Sequence, residues 1–241
     1  MKFSVLLYLF IFTTSCQFSE TIHIYEDGSG TIQTTSLRDE QSYLKLVLGN
    51  YNNEEVFHDT TYVVKDFINK CAETFNRISD ADKAVFRKYN DVKVHIKNSS
   101  YEKEFRTTIS QKFATVNEIA DLYKTTEYVS DIRNNYALSA EEHYYKVKYS
   151  FDGKIFYRKV VITDYLELKK QVARIDTLKF KYGKLDLLQS YRLEYHFPRR
   201  IKSVSNPNAN VESDRKSLFL NFLISDCLQN PEGTNLEVIL E

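Results

Sequence analysis

The sequence predicts an α+β fold, with a mainly antiparallel sheet of several hairpins and helices packed on one of its faces. Two segments read as β-hairpins, and apolar residues at helical spacing are grouped between runs of strands. The chain also holds 18 Tyr and 16 Phe but no Trp. Aromatic residues at alternating positions are typical of half-buried sheet faces. Together these patterns indicate one large α+β domain.

The first hairpin is predicted at the start of the folded region. Ile22 and Ile24 share one face of a strand over residues 22–26, because successive strand side chains point to opposite faces. Asp27-Gly28-Ser29-Gly30 then predicts a tight turn, and residues 31–35 form the return strand. Gly-Ser-Gly lacks the spacing of a nucleophile elbow, so we interpret it as a turn.

Helices are predicted in five places. A short helix covers residues 44–48, and residues 63–75 carry apolar side chains three and four positions apart, as an amphipathic helix does. Residues 84–89 suggest another helical turn. A capping box at Thr115 and Glu118 predicts a helix through residue 123. Residues 163–178 are ambiguous in pattern, and we expect a helix there.

The second hairpin is the strongest local signal. Tyr145, Val147, Tyr149 and Phe151 alternate with polar residues, and Asp152-Gly153 is the preferred pair of a type I′ turn before a return strand over 154–162. We expect those four side chains to form an apolar wall, of the core or of a cavity, facing helical residues such as Phe67 and Ile68. Further strands are predicted at 92–96, 105–113, 191–197, 218–224 and 236–240.

The N-terminus has the pattern of a signal peptide. Lys2 is followed by an apolar run over residues 3–12, then small residues, then Cys16. That run is about half of the ~20 residues that span a bilayer, and it matches a secretory signal. We expect residues 1–15 to be removed and Cys16 to be acylated, leaving one domain over 16–241 on a lipid anchor. Plain secretion with the same cleavage is the alternative.

The other two cysteines allow two readings. Cys71 and Cys227 form an even pair in an oxidising compartment, where a disulfide is expected to be stable. They also fit two separate buried thiols, because Cys71 lies on the apolar stripe of a predicted helix. The sequence leaves both open.

The charge balance argues against nucleic acid as a partner. Lys plus Arg and Asp plus Glu each total 33, so no strongly basic face is implied. No later apolar stretch approaches the length of a membrane span. The lipid on Cys16 is therefore the expected attachment to the membrane.

The sequence contains no motif that indicates catalytic chemistry. The five histidines never fall at metal-ligand spacing. His58-Asp59 and Glu142-His143 are adjacent acid–histidine pairs, but neighbours in a strand point to opposite faces. Arg199 and Arg200 follow a strand and read as an exposed strand end. We expect no catalytic residue, no metal site and no cofactor, hence no enzyme.

Three segments carry a resemblance to a known group of proteins. They read ETIHIYEDGSGTIQ after Cys16, KFATVNEI in the middle, and YRLEYHFPRRIKSVSNPNANVESDRKSLFL near the end. They resemble a group of Bacteroidetes lipoproteins, which are distantly similar to the LppM-type domain of mycobacterial lipoproteins. The resemblance implies an α+β sheet domain on a lipid anchor, with affinity for lipids or glycolipids. It carries no catalytic motif.

Two functions follow from these observations. The first is a non-enzymatic envelope lipoprotein that binds a lipid or another hydrophobic ligand. The second is a structural module that contacts another envelope protein. Residues 17–20 lack a run of acidic side chains that directs surface export, so we expect the outer membrane and its periplasmic face.

Overall fold

The computed structural model describes residues 17–38, 56–134, 143–182 and 190–241. Within these ranges the chain forms twelve strands in two sheets, together with six α-helices. The predicted α+β class with mainly antiparallel pairing is confirmed. The strands divide between two sheets, however, where the sequence suggested one. The predicted signal peptide, Cys16 and the helix predicted at 44–48 lie outside the described residues.

The strands have the following bounds in chain order: β1 Gln17–Ile24, β2 Gly30–Arg38, β3 Phe57–Val63, β4 Lys93–Ser99, β5 Glu104–Phe113, β6 Tyr145–Phe151, β7 Ile155–Ile162, β8 Ser190–His196, β9 Ile201–Val204, β10 Asn210–Val211, β11 Ser217–Leu223 and β12 Leu236–Leu240. The larger sheet has the order β10-β11-β8-β1-β2-β5-β4-β3. The smaller sheet has the order β6-β7-β12-β9.

The α-helices are α1 Val64–Lys70, α2 Ala72–Arg77, α3 Asp80–Arg87, α4 Thr125–Asn134, α5 Tyr165–Tyr182 and α6 Ile224–Gln229. Helix α1 packs against β3 and α4, while α6 packs against α5 and β11. None of the described helices combines the length and apolarity needed to cross a bilayer.

Strand β1 lies inside the larger sheet. It pairs antiparallel with β2, which confirms the first hairpin, and parallel with β8 on its other side. Gln17, the first residue of β1, is opposite Leu37 in β2 and Ser190 in β8. The first described strand is therefore fixed on both sides by backbone hydrogen bonds.

Two predicted helices differ in the structure. The helix expected over 63–75 is divided at Cys71 into α1 and α2. The capping box of Thr115 and Glu118 is present, but it starts only a short 3₁₀ helix, Val116–Glu118. The chain then leaves helical geometry because the Ala120 N–H donates to the Gln111 side chain, 2.9 Å away. The α-helix α4 begins only at Thr125.

The second hairpin is confirmed as β6 and β7, but its turn is not type I′. A type I′ turn needs positive φ at both central residues. Gly153 has φ +91°, whereas Asp152 is outside the positive-φ region. The Asp152 carboxylate instead accepts the N–H groups of Lys154 at 2.8 Å and Ile155 at 2.7 Å. The side chain of Asp152 thus holds the turn.

Side chains of both sheets meet in one core. Ile22 of β1, Leu193 of β8 and Leu220 of β11 lie on the larger sheet, and Phe156 of β7 and Val238 of β12 lie on the smaller; all five are fully buried. The strand predicted over 218–224 ends one residue early, because Ile224 begins α6. This change of direction carries the chain across the gap between the sheets.

Candidate functional site

An apolar cavity of about 410 Å³ lies between the two sheets. This volume is within the range of roughly 300–1,000 Å³ that is usual for ligand sites. The larger sheet contributes Phe18 and Tyr191, and the smaller sheet contributes Tyr145, Val147 and Arg158. The remaining lining residues are Tyr123, Ile224, Cys227, Leu228, Pro231 and Thr234. Five of them belong to residues 224–234, which we call the cover segment.

The predicted apolar wall is divided between this cavity and the core. Tyr145 and Val147 line the cavity. Tyr149 is buried beside Phe156, with ring centroids 6.5 Å apart. Phe151 packs at the edge of the core and lines a separate surface cleft.

The expected helical partners of that wall lie elsewhere. Phe67 and Ile68 belong to α1, which packs on β3 and α4. The wall faces Phe18 and Tyr191 of the larger sheet and the cover segment.

A buried ion pair closes the inner end of the cavity. Arg158 Nε donates to Glu20 Oε1 at 3.3 Å, and the two side chains are 2% and 0% exposed. Arg158 Nη1 also donates to Thr234, to Oγ1 at 2.6 Å and to the backbone oxygen at 3.2 Å. The pair thereby joins β1 of one sheet to β7 of the other and to the cover segment.

Three tyrosines complete the hydrogen bonding of this pair. Tyr195 donates to Glu20 Oε1 at 2.5 Å, and Tyr123 donates to Glu20 Oε2 at 2.6 Å. Tyr191 accepts from Arg158 Nη2 at 3.0 Å and lies 2.5 Å from the Tyr123 hydroxyl. Since Tyr123 uses its proton for Glu20, Tyr191 donates to Tyr123. The hydrogen bonds then run in one direction from Arg158 through two phenols to Glu20.

The electrostatics of the cluster keep the ion pair charged and the phenols neutral. Burial alone would raise the pKa of Glu20, but Arg158 and the tyrosine hydrogen bonds lower it below its ordinary value. Burial raises the pKa of Tyr123 and Tyr195 well above the ordinary value, and the Glu20 charge raises it further. The inner end of the cavity is therefore neutral overall.

The two cysteines among the described residues, Cys71 and Cys227, are free thiols in this structure. Cys71 joins α1 and α2, and Cys227 lies on α6 and lines the cavity. The two sulfur atoms are not bonded to each other here. The reason is that their helices pack against different neighbours, α1 on β3 and α4, and α6 on α5 and β11. Burial raises the pKa of the Cys227 thiol to about 12, so it stays protonated at neutral pH.

A second buried carboxylate supports the cavity wall from behind. Asp121 Oδ2 accepts the Val147 N–H at 3.2 Å. Asp121 Oδ1 is buried and lacks a hydrogen-bond partner, and burial raises the pKa of this group. The side chain fixes the backbone of β6 where Val147 enters the cavity.

The histidines form pairs on the sheet surface. His23 and His196 stack across β1 and β8 with ring centroids 4.1 Å apart. Asp59 Oδ1 lies 2.9 Å from His95 Nε2 on the neighbouring strand β4. The hydrogen-bond partner of Asp59 is therefore His95 and not its chain neighbour His58. Across the described ranges, no group of three or more His, Cys, Asp and Glu side chains could hold a metal ion.

The Glu20–Arg158 cluster was not predicted from the sequence, although a signal for it is present. Glu20 shares a strand face with Ile22 and Ile24, and Arg158 shares one with Phe156 and Val160. A charged residue on an otherwise apolar face requires a buried partner. Arg158 lies in the predicted strand over 154–162, but Glu20 precedes the predicted strand over 22–26, so the alternation would have indicated the pair only with that strand extended to Glu20.

Comparisons with known proteins give little to transfer. No protein-family model matches the chain, and no curated protein matches it. Among solved structures, the folded domain of the LppM protein of Mycobacterium tuberculosis, determined by NMR, is 8% identical. The match covers 94% of this chain and 90% of that chain with a TM-score of 0.36. This superposition is too loose for any conclusion about fold or function to be drawn from it.

Proposed function

We propose that this protein is a non-enzymatic lipoprotein of the bacterial cell envelope that binds a hydrophobic ligand between its two sheets. The observation that carries the proposal is the cavity of about 410 Å³, in which Phe18, Val147, Ile224 and Leu228 offer apolar surface. Apolar pockets with a few polar groups at one end are the usual form of small-molecule sites.

The N-terminal sequence supports the lipid anchor. The apolar run over residues 3–12 ends in small residues directly before Cys16. Strand β1 begins at the next residue, Gln17. A lipid on Cys16 would hold the domain at the membrane surface, and we place it on the periplasmic face of the outer membrane.

The chemistry around the cavity supports binding in preference to catalysis. The polar groups of Glu20, Arg158, Tyr123 and Thr234 are engaged with one another. The Cys227 thiol, whose pKa burial raises to about 12, is a poor nucleophile because the thiolate is the reactive form.

The anchor is tested by expressing the chain and its Cys16→Ser variant in a bacterial host fed with labelled palmitate. We expect label and membrane fractionation for the parent protein and neither for the variant. Cys71→Ser serves as the matched control and should behave as the parent. Labelling of the Cys16→Ser protein would contradict the anchor.

The cavity is tested by native mass spectrometry of the chain from residue 16 onward with Cys16→Ser. All described strands and helices lie within that chain. We expect a co-purifying hydrophobic molecule in a one-to-one complex. Cys227→Phe should fill the cavity and remove the adduct, whereas Cys227→Ser should retain it. Equal adducts on both variants would place the ligand elsewhere, and empty masses throughout would remove support for the proposal.

One observation favours a second candidate, an interaction module. Leu166 is 72% exposed and Phe180 is 93% exposed on α5. Ala173 lies midway between them, and residues seven apart share one side of a helix. This stripe is suited to contact with another envelope protein. Phe180→Glu should then abolish a cross-link to that partner while leaving the mass adduct unchanged.

A further inference from the structure

The two charged groups at the polar end of the cavity are already paired with each other. Arg158 donates hydrogen bonds from Nε to Glu20, from Nη1 to Thr234 and from Nη2 to Tyr191. The two oxygens of Glu20 accept from Arg158, Tyr195 and Tyr123. An anionic or cationic head group would therefore enter without a counter-ion, and burying an unpaired charge is strongly unfavourable.

One polar group in the cavity is available to a ligand. Tyr145 lines the cavity, and its hydroxyl has no hydrogen-bond partner among the described residues, only ring contacts with His143 and Tyr144. Burial raises the pKa of Tyr145, so the phenol stays protonated and can donate. Tyr145 is half-buried, and a donor that lines the cavity without a protein partner favours a ligand that brings an acceptor oxygen.

The cavity lies at the end of the larger sheet where the domain begins. Phe18, which lines it, is two residues after Cys16, a distance of about 7 Å in extended chain. In the sheet, Gln17 of β1 lies opposite Ser190 of β8, and Ser190 lies opposite Leu223 of β11. The cover segment starts directly after Leu223, so it begins at the same end of the sheet as β1. The proposed anchor and the cavity are thus at the same end of the domain.

The size of the cavity suits one chain. A water molecule takes about 30 Å³ in the liquid, and a methylene group is of similar size. A volume of about 410 Å³ then has room for roughly a dozen heavy atoms. One hydrocarbon chain of that length fits, and a two-chain lipid does not.

We infer that the cavity binds a single uncharged acyl chain whose ester, amide or hydroxyl oxygen accepts a hydrogen bond from Tyr145. The inference rests on the proposed function and names the ligand class of that same site. The chain has two sources with the same chemistry, a lipid of the bilayer or the acyl group on Cys16 itself. Either source presents it at the end of the sheet that carries the anchor.

The test compares three probes with the same twelve-carbon chain and different head groups. These are 1-monolauroylglycerol, sodium dodecanoate and dodecyltrimethylammonium, titrated calorimetrically below their micelle concentrations into the Cys16→Ser protein at pH 7.5. We expect the neutral probe to bind at least tenfold more tightly than either charged one. Tyr145→Phe should weaken its binding about three- to tenfold, which matches the net value of one hydrogen bond. Tyr157→Phe, on the exposed side of β7, is the matched control and should bind as the parent.

The outcomes separate this inference from the proposed function. The ligand class would be overturned if dodecanoate bound as tightly as the neutral probe, or if Tyr145→Phe left the affinity for the neutral probe unchanged. Either result would still leave a hydrophobic site in place. Failure of all three probes would overturn both. Repeating the neutral titration with the lipidated protein identifies the source. Loss of binding there means that the Cys16 acyl group occupies the cavity, and retained binding means that bilayer lipid does.

Discussion

Replacing Arg158 by Met should destabilise the domain severely. Arg158 is 2% exposed and is the cationic partner of Glu20, which is 0% exposed. Met replaces the aliphatic stem of Arg and removes the guanidinium. The variant leaves the Glu20 carboxylate buried without a cation, with only tyrosine hydroxyls as hydrogen-bond donors.

The magnitude follows from the contacts that disappear. Arg158 donates four hydrogen bonds, one to Glu20, two to Thr234 and one to Tyr191. Breaking a buried pair by removing one partner typically costs about 3–5 kcal/mol. A domain has a total stability of about 5–15 kcal/mol, so this is a large share of it.

Urea unfolding of the Cys16→Ser protein with and without Arg158→Met measures the loss. We expect a fall of about 3–5 kcal/mol in the free energy of unfolding. Lys159→Met, on the exposed face of the same strand, is the control and should change it by less than about 0.5 kcal/mol. Glu20→Gln in the Arg158→Met background should recover part of the loss, because it removes the unpaired charge.

The pH dependence gives a second readout with a defined sign. In the parent protein the pKa of Glu20 is lowered, so its contribution is present above its ordinary pKa of 4.5 and is lost as the pH falls through the folded value. Without Arg158 burial raises the pKa of Glu20, so the variant gains stability as the pH falls toward 4.5, whereas the parent loses stability below 4.5. The difference in stability between the two proteins should therefore narrow over both ranges as the pH falls. A loss of unfolding free energy no larger than that caused by Lys159→Met would refute the reasoning, and so would a loss that does not change with pH.

Three further outcomes are expected. Gly30→Ala should lower the unfolding free energy by about 1–3 kcal/mol, because a Cβ there would lie 2.0 Å from the His23 backbone oxygen. The control is Gly233→Ala, whose Cβ would lie 3.2 Å from the Asn230 side chain, and it should lower the unfolding free energy by less in the same urea assay. Burial and repulsion from His196 lower the pKa of His23, so stability should fall as the pH drops through about 6.5, and His23→Gln should reduce that slope in thermal melts from pH 7.5 to 5.5. Asp121→Asn should unfold at a urea concentration no lower than the parent at pH 7 and gain up to about 1 kcal/mol, because the amide oxygen can still accept the Val147 N–H while the carboxylate charge that burial disfavours is removed; clear destabilisation would contradict this.

Local patterns predicted most of the strands correctly. Alternation located β1, β6 and β8, because one buried face imposes a period of two on the sequence. The capping box at Thr115 illustrates the limit of such signals. Its hydrogen bonds form, yet the helix ends after one turn because Gln111, on the neighbouring strand β5, captures the Ala120 N–H.

The cavity itself could not be predicted from local patterns. It depends on the division of the strands into two sheets and on the direction of the cover segment after Leu223. Both are set by contacts between residues far apart in the chain, such as Glu20 and Arg158. Alternation identified Tyr145 and Val147 as apolar wall, but it could not distinguish a filled core from an open site.

The position of β1 has a mechanical consequence. The strand begins one residue after Cys16 and is hydrogen-bonded along its length to β2 and β8. An anchor at Cys16 would leave no slack, so the domain could neither swing out from the bilayer nor extend toward a distant target. A pull on the anchor along the strand would load both ladders of hydrogen bonds in shear at once, so it would not peel them open one by one. The connection between membrane and domain would then be a stiff mount that transmits force directly into the middle of the larger sheet.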